Sequence, residues 1–171
     1  MKNCLVVIDM QNDFITGSLG TKEAVKIIPA VKERIEKAIR DGEDIFWTKD
    51  THDGDYLKTR EGRYLPVEHC IDGTEGHEIC DELKPYVDKA KKVIIKKTFG
   101  SKDLPKYIEE YDNITFVGLC TDICVISNAM LAHAFYPEKN IIIEKNCCAG
   151  STPENHENAL KAMAVCHFDI L

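Results

Sequence analysis

The chain has 171 residues, of which 44% are hydrophobic and 30% charged, the balance of an ordinary globular fold with one well-buried core. Its net charge of -7 argues against a nucleic-acid or anionic-membrane partner, because both need a basic face. No stretch approaches the roughly 20 apolar residues of a membrane span, and the apolar run Leu5 to Ile8 is too short for a signal peptide. One domain over residues 1–171, located in the cytoplasm, is the expectation.

Strand and helix alternate along the chain. Cys4 to Ile8 is a continuous apolar run, as expected for a strand covered on both faces. Ala24 to Arg40 then places Ile27, Ile28, Val31, Ile35, Ala38 and Ile39 at helical spacing, with Pro29 marking where regular helix is expected to begin. Asp44 to Thr48 reads as a second strand. From about Lys49 to Gly76 no periodicity holds, and a loop of that length in a compact fold is usually functional. A helix from about Glu78 to Ala90, interrupted at Pro85, leads to a strand over Val93 to Ile95 and a short helix over Asp103 to Tyr111.

Ile114 to Gly118 is the fourth strand, and a helix is expected from Ile123 to Phe135. Asn140 to Glu144 is the fifth strand. Thr152 and Pro153 have the residue types of an N-cap and first position for a helix running to about Cys166. Phe168 to Leu171 completes the set. Strands separated by helices predict an α/β fold: a three-layer, doubly wound and mostly parallel sheet of about six strands, with helices on both faces. In such sheets ligands bind beyond the carboxyl ends of the strands. Asp9, Asp50, His52, Lys96, Cys120 and Cys124 all follow strands, so they should converge on one edge.

Each carries usable chemistry. Cys124 is placed at the first turn of a helix leaving a strand, where the partial positive charge of the helix end favours thiolate. Asp9 beside it can take the thiol proton and return it to a leaving group. Lys96 follows three apolar residues, so its ammonium starts from a buried place and can hold the carboxylate, whereas Lys97 suits the surface. Asp50 and His52, with His69 as a third ligand, suit Zn²⁺, Fe²⁺ or Mn²⁺; Cys70 and His77 are alternatives. The eight cysteines contain no C-x-x-C pair and are expected to be reduced thiols. A thiol-redox or metal-binding protein without catalysis is the competing reading, motivated by the adjacent Cys147 and Cys148.

Four blocks carry a family resemblance. Val6-Val7-Ile8-Asp9-Met10-Gln11-Asn12-Asp13-Phe14, Thr48-Lys49-Asp50-Thr51-His52 with Pro66-Val67-Glu68-His69-Cys70, Val93-Ile94-Ile95-Lys96-Lys97-Thr98-Phe99-Gly100-Ser101, and Gly118-Leu119-Cys120-Thr121-Asp122-Ile123-Cys124-Val125 occur in order. Together they resemble the isochorismatase-like cysteine hydrolases, in their nicotinamidase-related branch. The resemblance implies that Asp9 is the base, Lys96 the catalytic lysine and Cys124 the nucleophile that forms a thioester. It implies a cis peptide at Leu119-Cys120, with the backbone N–H groups of Cys120 and Cys124 as the oxyanion hole.

It also implies one divalent metal, zinc with iron or manganese as alternatives, on Asp50, His52 and His69. A homo-oligomer is expected, with a small amide, foremost nicotinamide, as substrate. Another small amide or a ureide is the second reading. Isochorismate hydrolysis is disfavoured, because members with that activity lack the cysteine. In one respect the chain departs from the branch: Leu65-Pro66 stands where nicotinamidases usually have Trp-Pro, and one extra residue precedes His69. Phe14, Leu65 and Phe99 are the expected pocket walls, with Trp47 and Tyr64 as further aromatic candidates, Trp47 being better suited to the core.

Overall fold

The computed structural model describes residues 1–171. In chain order the elements are β1 (Asn3–Ile8), α1 (Asn12–Ile15), α2 (Lys22–Asp41), β2 (Asp44–Asp50), α3 (Arg60–Tyr64), β3 (Lys92–Lys96), α4 (Leu104–Ile108), β4 (Asn113–Leu119), α5 (Ile126–Phe135), β5 (Asn140–Ala149), α6 (Pro153–Val165) and β6 (Asp169–Ile170). All six strands are parallel, in the order β3-β2-β1-β4-β5-β6. The chain therefore winds outward from β1 in both directions, and the direction reverses between β1 and β4. That switch point opens a crevice at the carboxyl ends of the central strands.

The apolar run of β1 explains its central place. Its side chains alternate between two cores: Cys4, Val6 and Ile8 on one face, Leu5 and Val7 on the other. The first core packs beneath α4, α5 and α6 through residues such as Leu104, Ala129 and Met163. The second packs beneath α2 through Ala24, Ile27, Val31 and Ile35, and includes the fully buried Trp47. Three layers result, as the alternation of elements predicts.

Three local expectations change. Helix α2 begins at Lys22, where the Thr21 hydroxyl accepts the Ala24 N–H at 3.0 Å, so Pro29 lies inside the helix instead of opening it. A buried face of seven residues, from Ala24 to Ala38, holds the helix through the missing donor. Residues 78–90 form turns and a 3₁₀ segment over Lys84–Lys89 in place of an α-helix. Their backbone is recruited elsewhere: Asn12 N–H donates to Glu78 C=O and Cys80 N–H to Met10 C=O, while Pro85 removes a helical donor.

The third change is at Cys124. A π-helical turn over Thr121–Val125 precedes α5, so Cys124 sits in that wider turn and not in the first turn of the α-helix.

Candidate active site

The register of the strands aligns the chemistry. Asp50 at the end of β2 pairs with Lys96 at the end of β3, and Ile8, which precedes Asp9, pairs with Thr48 and Gly118. Asp9, Asp50, Lys96 and Cys124 thus meet at the crevice, all buried. Lys96 Nζ lies 2.6 Å from Asp9 Oδ2, 3.1 Å from Asp50 Oδ1 and 3.3 Å from Cys124 Sγ. The Thr48 hydroxyl donates to Asp9 Oδ1 at 2.6 Å. Asp9 Oδ2 faces the Lys96 ammonium at ion-pair distance.

Electrostatics assigns the resting charges. Burial would lower the Lys96 pKa, but the charges of Asp9, Cys124 and Asp50 outweigh it, and the ammonium stays protonated well above the ordinary lysine range. Burial raises the Asp9 pKa against the opposing effect of Lys96, making it a stronger base than an exposed aspartate. The Cys124 thiol is pushed well up by burial, again against Lys96. Desolvation thus opposes the thiolate expected from a helix end, and Lys96, 3.3 Å away, is the counter-charge available to the sulfur once its proton leaves.

The peptide Leu119-Cys120 is cis, and the Cys120 N–H finds no acceptor in the protein. This donor stands beside the π turn that carries Cys124. Gly118, two residues earlier, has φ +115°, and a Cβ there would lie 2.1 Å from Ile8 C=O, so only glycine lets β4 approach β1 this closely.

A second cluster adjoins the first. Asp50, His52, Glu61 and His69 bring their ligating atoms within 4.8 Å of one another. The Nε2 atoms of His52 and His69 lie 3.0 and 3.6 Å from Asp50 Oδ2, and 3.7 and 3.5 Å from Glu61 Oε1. His69 Nδ1 faces Val67 C=O at 2.9 Å, which fixes the ring and turns Nε2 inward. Tyr56 packs edge-on against both imidazoles. Two imidazoles and two carboxylates fit a divalent metal such as zinc, iron or manganese. Asp50 suits the role: although burial works against ionisation, the imidazoles and Lys96 hold its carboxyl well below the usual carboxylate range.

Glu61 was not apparent from the sequence. It sits on α3, whose start is capped by the Thr59 hydroxyl accepting the Gly62 N–H at 3.0 Å. The Thr-x-Glu pattern inside the long loop was the available signal, but nothing local said which way the helix faced. Gln11 was missed too: its amide accepts the Asp50 N–H and donates to Asp50 C=O, both at 2.8 Å, clasping the residue shared by the two clusters. Of the alternative ligands, His77 instead bonds the Thr51 hydroxyl at 2.8 Å, and Cys70 lies outside the cluster.

Both clusters open on one cavity of about 250 Å³. Phe14, Leu65, Phe99 and Ile123 supply apolar walls, Cys120 and Cys124 one end, and Asp50, Glu61 and His69 a polar side. Phe14, Leu65 and Phe99, the three walls expected from the sequence, all line this cavity. Trp47 is core, Tyr64 is exposed, and Lys97 is a surface residue paired with Asp53. All eight cysteines are free thiols.

A family model described as the isochorismatase domain matches residues 3–169. The chain belongs to the isochorismatase family. A solved nicotinamidase/pyrazinamidase PncA from Bacillus subtilis superposes with a TM-score of 0.88 at 30% identity, over 99% of each chain. The pyrazinamidase of Pyrococcus horikoshii in complex with zinc superposes with a TM-score of 0.84 at 28% identity, covering 100% of this chain and 99% of that one. A probable inactive nicotinamidase of Arabidopsis thaliana is 30% identical over 164 residues, spanning 89% of this chain and 83% of the relative. The chain is accordingly a hydrolase acting on amide bonds, and the non-catalytic redox reading falls away.

Proposed function

We propose that the protein is a metal-dependent cysteine amidohydrolase that converts nicotinamide and water to nicotinate and ammonia. The observation that carries this reading is Lys96, whose ammonium touches Asp9, Cys124 and the metal-cluster residue Asp50 at 2.6 to 3.3 Å beside one apolar cavity. A solved relative that is a nicotinamidase and another that binds zinc support it.

The chemistry follows from the charges. Asp9 takes the thiol proton as Cys124 Sγ attacks the amide carbon, and Lys96 stabilises the thiolate on the way. The carbonyl oxygen gains negative charge against the backbone N–H groups of Cys120 and Cys124. Asp9 returns its proton to the amide nitrogen, the C–N bond breaks, and ammonia leaves an acyl thioester on Cys124. Asp9 then removes a proton from water as the hydroxide attacks that thioester; the carboxylic acid departs and the thiol is restored. Asp50, His52, Glu61 and His69 would hold a divalent ion, which would supply a Lewis acid for orienting the substrate ring. Phe14 and Phe99 would flank the ring, and the burial of Cys124 limits the access of bulk water to the thiolate.

Cys124→Ala should reduce ammonia release from nicotinamide to the uncatalysed level while leaving the fold intact. Ammonia release retained in this variant would overturn the mechanism. Leu65 on the cavity wall, in place of an indole, favours as second reading another small amide or ureide. Parallel rates on nicotinamide, pyrazinamide, carbamoyl amides and biuret separate the two.

A further inference from the structure

The cavity over Cys124 is only the inner of two chambers. The inner one, at about 250 Å³, is smaller than the roughly 300–1,000 Å³ of sites that enclose drug-sized ligands. An outer chamber of about 560 Å³ adjoins it and shares Glu61, Leu65, Phe99 and Ile123 as a common neck. At this neck Leu65 is 37% exposed and Phe99 44%, and Tyr64 beyond them is 77% exposed. Large apolar side chains gathered around an opening mark a surface that contacts a ligand.

The outer chamber also has cationic lining, Arg60 and Lys97. The Arg60 guanidinium lies 4.9 Å over the Tyr64 ring and enters no ion pair; Lys97 is shared with one exposed carboxylate, Asp53. Glu61, the acid at the neck, is turned to His52 and His69. Arg60 is thus a cation lining the outer chamber that has no carboxylate partner, in a chain of net charge -7.

The direction of an extended substrate also follows. Asp9, which protonates the leaving nitrogen, is 0% exposed and lines neither chamber. The leaving group therefore points to the closed end, and any extension belongs to the acyl portion. We propose that the preferred substrate is a ring carboxamide whose acyl side carries an arm through the Leu65–Phe99 neck, ending in an anionic group between Arg60 and Lys97. This deepens the amide-hydrolase reading and depends on it.

The test compares three primary amides on the metal-loaded enzyme: nicotinamide, nicotinamide with a carboxypropyl arm at ring carbon 5, and the same compound with a hydroxybutyl arm. The carboxylate arm should raise kcat/KM at least about fivefold over the neutral arm, the scale of two exposed charge contacts. That ratio should shrink in 0.5 M salt and fall to about one in Arg60→Gln/Lys97→Gln. A ratio near one in the unmutated enzyme, with nicotinamide turned over, overturns the extended substrate and leaves the amidohydrolase standing. No turnover of any of the three amides overturns both. The salt arm uses the native chain, so the conclusion does not hang on the double variant folding.

Discussion

At the residue scale, Asp9 carries the most conflicting demands. In the proposed mechanism it must be ionised to accept a proton, yet it is buried, and burial raises its pKa. Lys96 and the Thr48 hydroxyl both oppose that rise. Thr48→Val keeps the shape and removes the 2.6 Å hydrogen bond. The carboxyl pKa then rises further, so Asp9 is protonated over a wider acidic range. The acid limb of the kcat/KM profile should move to higher pH by about one unit, the worth of one hydrogen bond to a charged group. Thr48→Ser should restore the original profile; an unmoved limb in Thr48→Val would remove Thr48 from this role.

At the element scale, β4 decides where Cys124 stands. Its end is drawn against β1 at Gly118, and the chain then passes through the cis peptide into the π turn bearing Cys124. Gly118→Ala would set a Cβ 2.1 Å from Ile8 C=O at a φ of +115°. A destabilisation of about 3 kcal/mol or more is expected from the two effects together. Urea unfolding measures it, and because β1 and β4 separate at the crevice, residual activity should fall further than stability. The strands themselves were legible in the sequence because their apolar runs are local. Residues 78–90 were not, because an apparent helical pattern lost to backbone bonds with Met10 and Asn12, nearly seventy residues away.

At the scale of the whole molecule, the cysteines act together on stability. Burial is the largest cause raising the pKa of seven of the eight: Cys80 to about 11, Cys120 and Cys147 to about 12, Cys4, Cys70 and Cys148 higher still, and Cys124 well above the ordinary thiol value. In the unfolded chain the same thiols ionise near pH 8.5. The folded state therefore retains protons that the unfolded state loses, and stability present below about pH 8.5 declines as pH rises toward the folded values. Each thiol contributes up to about 1.4 kcal/mol per pH unit across that window. The melting temperature should drop steeply between pH 8.5 and 10, and more gently once one buried cysteine, such as Cys147, is replaced by alanine. A flat melting temperature across that interval would count against buried, protonated thiols.

The sequence by itself determined the alternation of strands and helices, the central apolar strand, and the identities of Asp9, Lys96, Cys124, Asp50, His52 and His69 as the groups to watch. Periodicity and residue type are local properties, and residues that follow parallel strands must emerge on one edge. Only the tertiary structure decided that Lys96 reaches both clusters, that Glu61 joins the candidate metal cluster, and that Thr48 and Gln11 hold the two aspartates. Those facts depend on side chains from separate elements coming within about 3 to 4 Å, the range at which hydrogen bonds and ion pairs form. The raised pKa of Cys124 belongs with them, because a helix end is visible in a sequence, whereas the desolvation that opposes it exists only once the fold has closed around the thiol.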